Sequence, residues 1–222
     1  MSAPSMPAEA QPESFAFTEA NLERARALIA KYPAGRQASA VIPLLDLAQR
    51  QHDNWLPRAA MDTVADMLSM PRIRVYEVAS FYTMFNRAPV GKHLVQVCTN
   101  TPCWLRGSDA VVSSCRRKLG IDFGETTADG QFTLVEVECL GACVNAPMIQ
   151  VNDDTYEDLD GPRTEALLDA LARGERPASG STTGRSGACP AGGPTTLTAS
   201  AERAGIALPS AGSADILPAD DR

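Results

Sequence analysis

The first half of the chain carries apolar residues at helical spacing. Four successive stretches repeat apolar positions every three to four residues, and each stretch predicts an amphipathic helix. Thr18 can cap the first helix, Ser39 can cap the second, and Pro57 suits the first position of the third. Short connections between four helices are typical of a small helical bundle, expected here over residues 15–88. Residues 1–14 are rich in Ala, Pro and Glu and are expected to form a disordered tail.

The period of the pattern changes in the second half. Short apolar runs predict four strands, at residues 94–97, 132–138, 148–151 and 155–157. Helical spacing predicts two helices, at residues 108–119 and 162–172. The order β-α-β-β-α predicts a small α/β sandwich over residues 89–174 and fits a thioredoxin-like arrangement. Residues 175–222 are dominated by Gly, Ser, Thr, Pro and Ala, which predicts an extended or disordered tail.

Charge and hydropathy narrow the classes of partner and compartment. The net charge is −7, and an acidic chain repels phosphate backbones, so we expect no nucleic-acid partner. No stretch approaches the roughly 18–20 continuous apolar residues of a membrane helix. The N-terminus resembles neither a secretory signal nor an Arg-rich transit peptide. We therefore expect a bacterial-type cytoplasm, where thiols stay reduced and clustered cysteines favour metal or redox chemistry.

Two cysteine pairs follow two of the predicted strands. Cys98 and Cys103 frame the first loop, and Cys139 and Cys143 frame the second. If the two strands are parallel neighbours joined by the helix at 108–119, both loops lie at the same sheet edge. The four thiolates then converge, which provides two sulfur ligands for each iron of a [2Fe–2S] cluster.

Other chemistries compete for these cysteines. A structural zinc site also takes four thiolates, and its usual spacing of two to four residues within a pair includes both spacings found here. A dithiol–disulfide enzyme is disfavoured because its typical C-x-x-C is absent. The residues alone leave iron–sulfur and zinc open. Cys115 shares an apolar helical stripe and is expected to be a buried core thiol, whereas Cys189 lies in the tail.

The chain lacks the motifs of nucleotide chemistry. No G-x-G-x-x-G follows a strand, and no G-x-x-x-x-G-K occurs. The two histidines, His52 and His93, lie away from the cysteine motifs, and no nucleophile–base pair is evident. We therefore expect no catalytic residues and no complete active site in this chain alone.

Acidic residues crowd the second cysteine motif and the hairpin after it, at Glu136, Glu138, Asp153, Asp154, Glu157 and Asp158. The common interpretation is a solvated face. The sharper hypothesis is that negative charge disfavours adding an electron to an anionic cluster and lowers its reduction potential. Glu138, next to Cys139, is the residue on which to test it.

Several motifs resemble one family. The segments 39–51 and 74–85 closely resemble the 24-kilodalton subunit, also called the flavoprotein 2 subunit, of NADH:quinone oxidoreductase (respiratory complex I). Both cysteine motifs, at 97–107 and 137–147, and the tail segment 192–198 are similar to motifs of the same family. Asn100 departs from the threonine expected in the first loop but removes no ligand.

The resemblance implies an α+β fold, with an N-terminal helical bundle followed by a thioredoxin-like [2Fe–2S] ferredoxin domain that has a mixed sheet. It implies one [2Fe–2S] cluster, held by Cys98, Cys103, Cys139 and Cys143. It also implies that a neighbouring subunit binds NADH and FMN.

The function implied is that of an electron-transfer subunit of complex I, whose cluster exchanges single electrons with FMN. The subunit would be peripheral, on the cytoplasmic side of a bacterial inner membrane, with other peripheral-arm subunits as partners and no membrane span of its own. Two alternatives stay open. One is the equivalent diaphorase subunit of an NAD-dependent formate dehydrogenase or hydrogenase, and the other is a zinc-stabilised interaction module.

Overall fold

The computed structural model describes residues 11–185, 196 and 198–203. The chain divides into two structural units between Lys92 and His93. Helices alone build the described part of the first unit, whereas the second combines helices with a sheet. No helix among the described residues has the length and apolar character needed to cross a bilayer.

The first unit is a helical bundle, as predicted. Its described residues form α1 (Glu19–Ala30), a 3-10 helix (Gln37–Ala40), α2 (Val41–Gln51), α3 (Arg58–Met67) and α4 (Arg72–Phe81). Thr18 caps α1 as expected, since its Oγ1 accepts a hydrogen bond from the N–H of Asn21 at 3.3 Å. The apolar faces of the helices meet in one core, in which Leu44, Leu45 and Val64 are fully buried.

The predicted cap of the second helix is wrong. Ser39 lies inside the 3-10 helix, and its N–H donates to the carbonyl of Arg36. The chain is therefore already wound before α2 begins, and Ala40 occupies the N-cap position without a side-chain hydrogen bond. Pro57 is the N-cap of α3 rather than its first residue, a difference of one position.

The second unit is built on a mixed sheet of β1 (His93–Cys98), β2 (Phe132–Val137), β3 (Ile149–Val151), β4 (Asp154–Glu157) and β5 (Gly180–Ser181). The strand order is β2-β1-β3-β4-β5. β1 pairs with β2 in parallel and with β3 antiparallel, β3 and β4 form an antiparallel hairpin, and β5 adds to β4 in parallel. This arrangement confirms the predicted mixed sheet.

The described helices of the second unit are α5 (Thr101–Leu105), α6 (Ser108–Leu119), a second 3-10 helix (Cys143–Asn145), α7 (Gly161–Ala172) and α8 (Thr198–Arg203). α6 lies in the crossover from β1 to β2 and ends at Gly120, which has a φ of +68°. α6 also packs against α7, where a Cβ added to Gly161 would stand 3.0 Å from Oγ of Ser114. Apolar residues of both helices and of the central strands share one core.

Among the described elements, the helices α5 and α8, the strand β5 and the two 3-10 helices were not predicted from the sequence. α5 has five residues and β5 has two, so neither is long enough to show a hydrophobic period. β5 depends on its partner, because Gly180 pairs with Tyr156 and Ser181 with Glu157. Both β5 and α8 fall in the segment that composition predicted to be an extended or disordered tail.

Candidate functional site

The two cysteine loops leave the same edge of the sheet. β1 and β2 are parallel neighbours, and Cys98, the last residue of β1, stands opposite Val137, the last residue of β2. Cys139 follows two residues after Val137. The parallel crossover expected from the sequence is therefore present, and its consequence is that both loops start side by side.

The sulfurs of the first loop lie inside the fold. Asn100 caps the short helix α5 by accepting a hydrogen bond from the N–H of Thr101 at 2.7 Å. This helix carries Cys103, which is 1% exposed, while Cys98 at the end of β1 is 2% exposed. Ala146 and Met148 complete a small apolar cluster around the two thiols.

The sulfurs of the second loop are exposed. The Sγ atoms of Cys139 and Cys143 are 3.1 Å apart, well beyond the ~2.05 Å of a disulfide bond. Gly141 has a φ of +88°, a conformation that favours glycine, and its N–H donates to Sγ of Cys139 at 3.4 Å. The loop therefore turns tightly with a backbone donor aimed at a sulfur.

Electrostatic interactions connect the two pairs of thiols. Burial, hydrogen bonding with Cys98 and the proximity of Cys98 and Cys143 together raise the pKa of Cys103. The pKa of Cys143 is raised chiefly by its hydrogen bond with Cys139, with a smaller effect of Cys98. The pKa of Cys139 is lowered by hydrogen bonds from Cys143 and from the N–H of Gly141. The Cys98 thiol of the first loop therefore influences the pKa of Cys143, and Cys143 in turn influences the pKa of Cys103.

The sulfurs are arranged as two pairs, one in each loop. Within the described ranges, no group of three or more His, Cys, Asp or Glu side chains is placed to hold one metal ion. All four cysteines are free thiols. A pair of thiols from each loop fits a binuclear iron–sulfur cluster, which takes two cysteine sulfurs at each iron. The same donors suit zinc chemically.

Two hydrogen bonds join the first cysteine loop to the end of β2 and to the residue before Cys139, and neither was predicted from the sequence. Oγ1 of Thr99 donates to Oε1 of Glu136 at 2.8 Å, and Nδ2 of Asn100 donates to Oε2 of Glu138 at 2.6 Å. The two carboxylates stood out in the sequence as part of an acidic group. Their partners are 37 and 38 residues away, so no local pattern could have revealed the pairing.

The remaining cysteines and histidines lie elsewhere. Cys115 is fully buried in the core of the second unit, as expected, and burial raises its pKa to about 12. Cys189 lies outside the described residues. His52 is the C-cap of α2 and stacks edge-on against Trp55, while His93 begins β1 and stacks on the ring of Phe132.

The second cysteine loop leads into β3 through a cis peptide bond between Ala146 and Pro147. Three large apolar side chains beside the cysteines are exposed. Trp104, Leu105 and Val144 are 58%, 72% and 50% exposed. Two of them lie on α5 next to Cys103, and the third directly follows Cys143.

Comparison with known proteins places this geometry in a family. Residues 25–172 match the family model described as thioredoxin-like [2Fe-2S] ferredoxin. A protein of Rickettsia bellii named as a subunit of NADH-quinone oxidoreductase is 58% identical over 158 residues, covering 71% of this chain and 95% of that protein. The mitochondrial NADH dehydrogenase [ubiquinone] flavoprotein 2 of Dictyostelium discoideum is 53% identical over 183 residues, covering 82% and 74%.

A solved structure shares the fold. An NAD+-reducing [NiFe]-hydrogenase in the air-oxidised state superimposes with a TM-score of 0.52 and 23% identity, over 59% of this chain and 23% of that one. The family match covers both cysteine loops and the strands that carry them. The chain therefore belongs to the thioredoxin-like [2Fe–2S] ferredoxin family, and its relatives there include subunits of NADH-quinone oxidoreductase.

Proposed function

We propose that this chain is the electron-transfer subunit of an NADH:quinone oxidoreductase and that Cys98, Cys103, Cys139 and Cys143 hold its [2Fe–2S] cluster. The observation that carries the proposal is the parallel pairing of β1 and β2, with Cys98 opposite Val137. This pairing starts both cysteine loops at one sheet edge and allows their four thiols to interact. When bound, the cluster supplies one-electron oxidation and reduction.

The protein surrounds the proposed cluster site with apolar side chains on one side and with a tightly turned loop that carries a backbone hydrogen-bond donor on the other. Cys98 and Cys103 lie in the apolar cluster with Met148, which keeps water from one side of the site. Burial raises the pKa of Cys103 to about 12, and the backbone hydrogen bond with Met148 offsets only part of that effect. On the exposed side, the N–H of Gly141 donates to Cys139 and stabilises negative charge on that sulfur.

A partner subunit supplies the nucleotide chemistry in this proposal. The sequence has neither a dinucleotide G-x-G-x-x-G after a strand nor a phosphate-binding G-x-x-x-x-G-K, so NADH and FMN bind to a neighbouring subunit. The exposed apolar residues Trp104, Leu105 and Val144 beside the cysteines support contact with a partner at this edge. The subunit is peripheral, on the cytoplasmic side of the membrane, and other peripheral-arm subunits complete its surroundings.

The equivalent subunit of an NAD-dependent hydrogenase or formate dehydrogenase is the second candidate. It is supported by a shared fold with the NAD+-reducing hydrogenase, at 23% identity. The relatives named as parts of NADH-quinone oxidoreductase and mitochondrial NADH dehydrogenase are far more similar, at 58% and 53% identity. Complex I is therefore the favoured assembly, and co-purification from the native membrane with a quinone-reducing or a hydrogen-oxidising activity separates the two.

The metal content of the anaerobically purified full-length protein tests the proposal. We expect a brown protein with two irons and two acid-labile sulfides per chain and a paramagnetic signal after reduction. Serine in place of Cys98, Cys103, Cys139 or Cys143 should remove or strongly change that signal. Cys115→Ser is the matched control and should leave the signal unchanged, because Cys115 lies in the core. A colourless protein containing stoichiometric zinc would refute the proposal.

A further inference from the structure

The carboxylate of Asp158 accepts hydrogen bonds from three side chains of residues 180–185. Its Oδ2 accepts hydrogen bonds from Oγ of Ser181 at 2.6 Å and from Oγ1 of Thr183 at 3.2 Å. Its Oδ1 accepts from Nη1 of Arg185 at 3.1 Å. The backbone of the segment is fixed as well, since the N–H of Arg185 donates to Oγ of Ser181 at 3.0 Å. Residues 180–185 thus form a strap around one carboxylate.

The strap and Asp158 hold the second cysteine loop. Nη2 of Arg185 donates to the carbonyl of Val144 at 2.7 Å, across 41 residues of sequence. The N–H of Asp158 donates to the carbonyl of Asn145 at 2.7 Å. The amide of Asn145, which is fully buried, donates to Glu157 at 2.7 Å. Val144 and Asn145 are the two residues that follow Cys143 in its 3-10 helix.

The burial of the Asp158 carboxylate indicates that these contacts matter to the fold. The side chain of Asp158 is only 7% exposed, and a buried carboxylate is costly unless cations and donors surround it. Asp158 also has a φ of +54°, a left-handed conformation that aspartate adopts more readily than most residues. Residues 180–185 offer little apolar surface, so polar contacts hold them in place.

We propose that Arg185 and Asp158 are positioning residues for the second cysteine loop, and that they act on Cys143 through Val144 and Asn145. The guanidinium reaches two acceptors at once, one on Asp158 and one on the cysteine loop, which is the two-armed geometry that arginine provides and lysine does not. As far as it concerns the cluster, this inference rests on the proposed function, in which Cys143 is a ligand.

The test compares full-length proteins carrying Arg185→Ala, Arg185→Lys and Arg176→Ala. We expect Arg185→Ala to lose its cluster to an iron chelator about 10-fold faster than the wild type, the effect typical of removing a residue that supports a metal ligand. Its electron paramagnetic resonance spectrum and midpoint potential should shift as well. Arg185→Lys should lose its cluster at a rate between those of the wild type and Arg185→Ala. Lysine keeps the positive charge opposite Asp158 but cannot also donate to the carbonyl of Val144.

Arg176→Ala is the matched control. Arg176 belongs to the same C-terminal segment and pairs with Asp154 at 3.7 Å, but its side chain is 74% exposed, so its loss should leave the cluster unchanged. Identical chelator kinetics and spectra in Arg185→Ala and Arg176→Ala would overturn the inference.

Amide hydrogen exchange gives a measurement that does not depend on the cluster. The N–H groups of Asn145 and Ala146 are hydrogen-bonded within the 3-10 helix, to Ala142 and Cys143. Their exchange should accelerate in Arg185→Ala and not in Arg176→Ala. A wild-type protein without a cluster would refute the proposed function, while faster exchange in Arg185→Ala would still support the positioning role of the strap. Unchanged exchange would refute that role.

Discussion

Nδ2 of Asn100 donates a hydrogen bond to Oε2 of Glu138 at 2.6 Å and so ties the first cysteine loop to the second. Asn100 caps α5, which carries Cys103, and Glu138 directly precedes Cys139. The contact therefore holds a negative charge next to an exposed sulfur while fixing the distance between the loops. Mutations of Glu138 can separate the effect of its negative charge from the effect of the hydrogen bond that it accepts.

We expect Glu138→Gln to raise the midpoint potential of the cluster. Glutamine keeps a side-chain oxygen that can accept from Asn100, so the change removes mainly the negative charge that opposes reduction. One charge near a hydrated site is worth about 1 kcal/mol, which corresponds to roughly 40 mV for one electron. A redox titration followed by absorption measures the shift.

Glu165→Gln is the control, because it removes one negative charge at a position away from the cysteine loops. Glu165 pairs with Arg117, in the last turn of α6 and away from the cysteine loops. Its replacement should leave the potential at the wild-type value. If Glu138→Gln leaves the midpoint unmoved, the residue does not tune the cluster.

A second prediction concerns Gly141. Alanine at this position meets no atom within 4 Å, so the cost comes from its φ of +88°. That strain should lower the free energy of unfolding by about 1 kcal/mol, or turn the N–H away from Cys139. We expect Gly141→Ala to alter the spectrum of the reduced cluster and to speed its loss to a chelator.

Gly124→Ala isolates the backbone strain. Gly124 has a φ of +85° and equally open surroundings, but it lies between α6 and β2. We expect a similar loss of unfolding free energy, measured in urea, with an unchanged cluster spectrum. Equal spectra for both variants would mean that the Gly141 donor does not act on the cluster.

The buried thiol of Cys115 predicts a specific dependence of stability on pH. Burial raises its pKa to about 12 in the folded protein, against about 8.5 for an unfolded thiol. The folded state thus binds this proton more tightly. The protonated thiol therefore stabilises the folded state fully below about pH 8.5. As the pH rises from there towards 12, the free energy of unfolding falls by up to about 1.4 kcal/mol per pH unit.

Urea unfolding of the wild type and Cys115→Ala at about pH 8 and about pH 10 measures this contribution. The wild type should lose more stability between the two values, because alanine has no proton to lose. The folded protein should also resist alkylation at Cys115 until urea exposes it. Parallel pH profiles in the two proteins would contradict the assigned burial effect.

Much of the fold follows from local pattern. Thr18 was identified as a cap because the N-cap role requires only a neighbouring turn. The strand that ends at Cys98 and the helix that ends at Gly120 were predicted from periodicity and from the conformational preference of glycine. Ser39 shows the limit of such reasoning, because a 3-10 turn already occupies the position where a cap was expected.

The sequence by itself determined which sulfurs belong in pairs, since spacing within a loop is a local property and each pair follows a strand. Only the tertiary structure decided what surrounds them: the burial of Cys103, the bond from Asn100 to Glu138 and the reach of Arg185 to Val144. Those two bonds join residues 38 and 41 positions apart. They exist because sheet pairing and the return of the C-terminal segment bring distant parts of the chain together, and no local preference encodes such an approach.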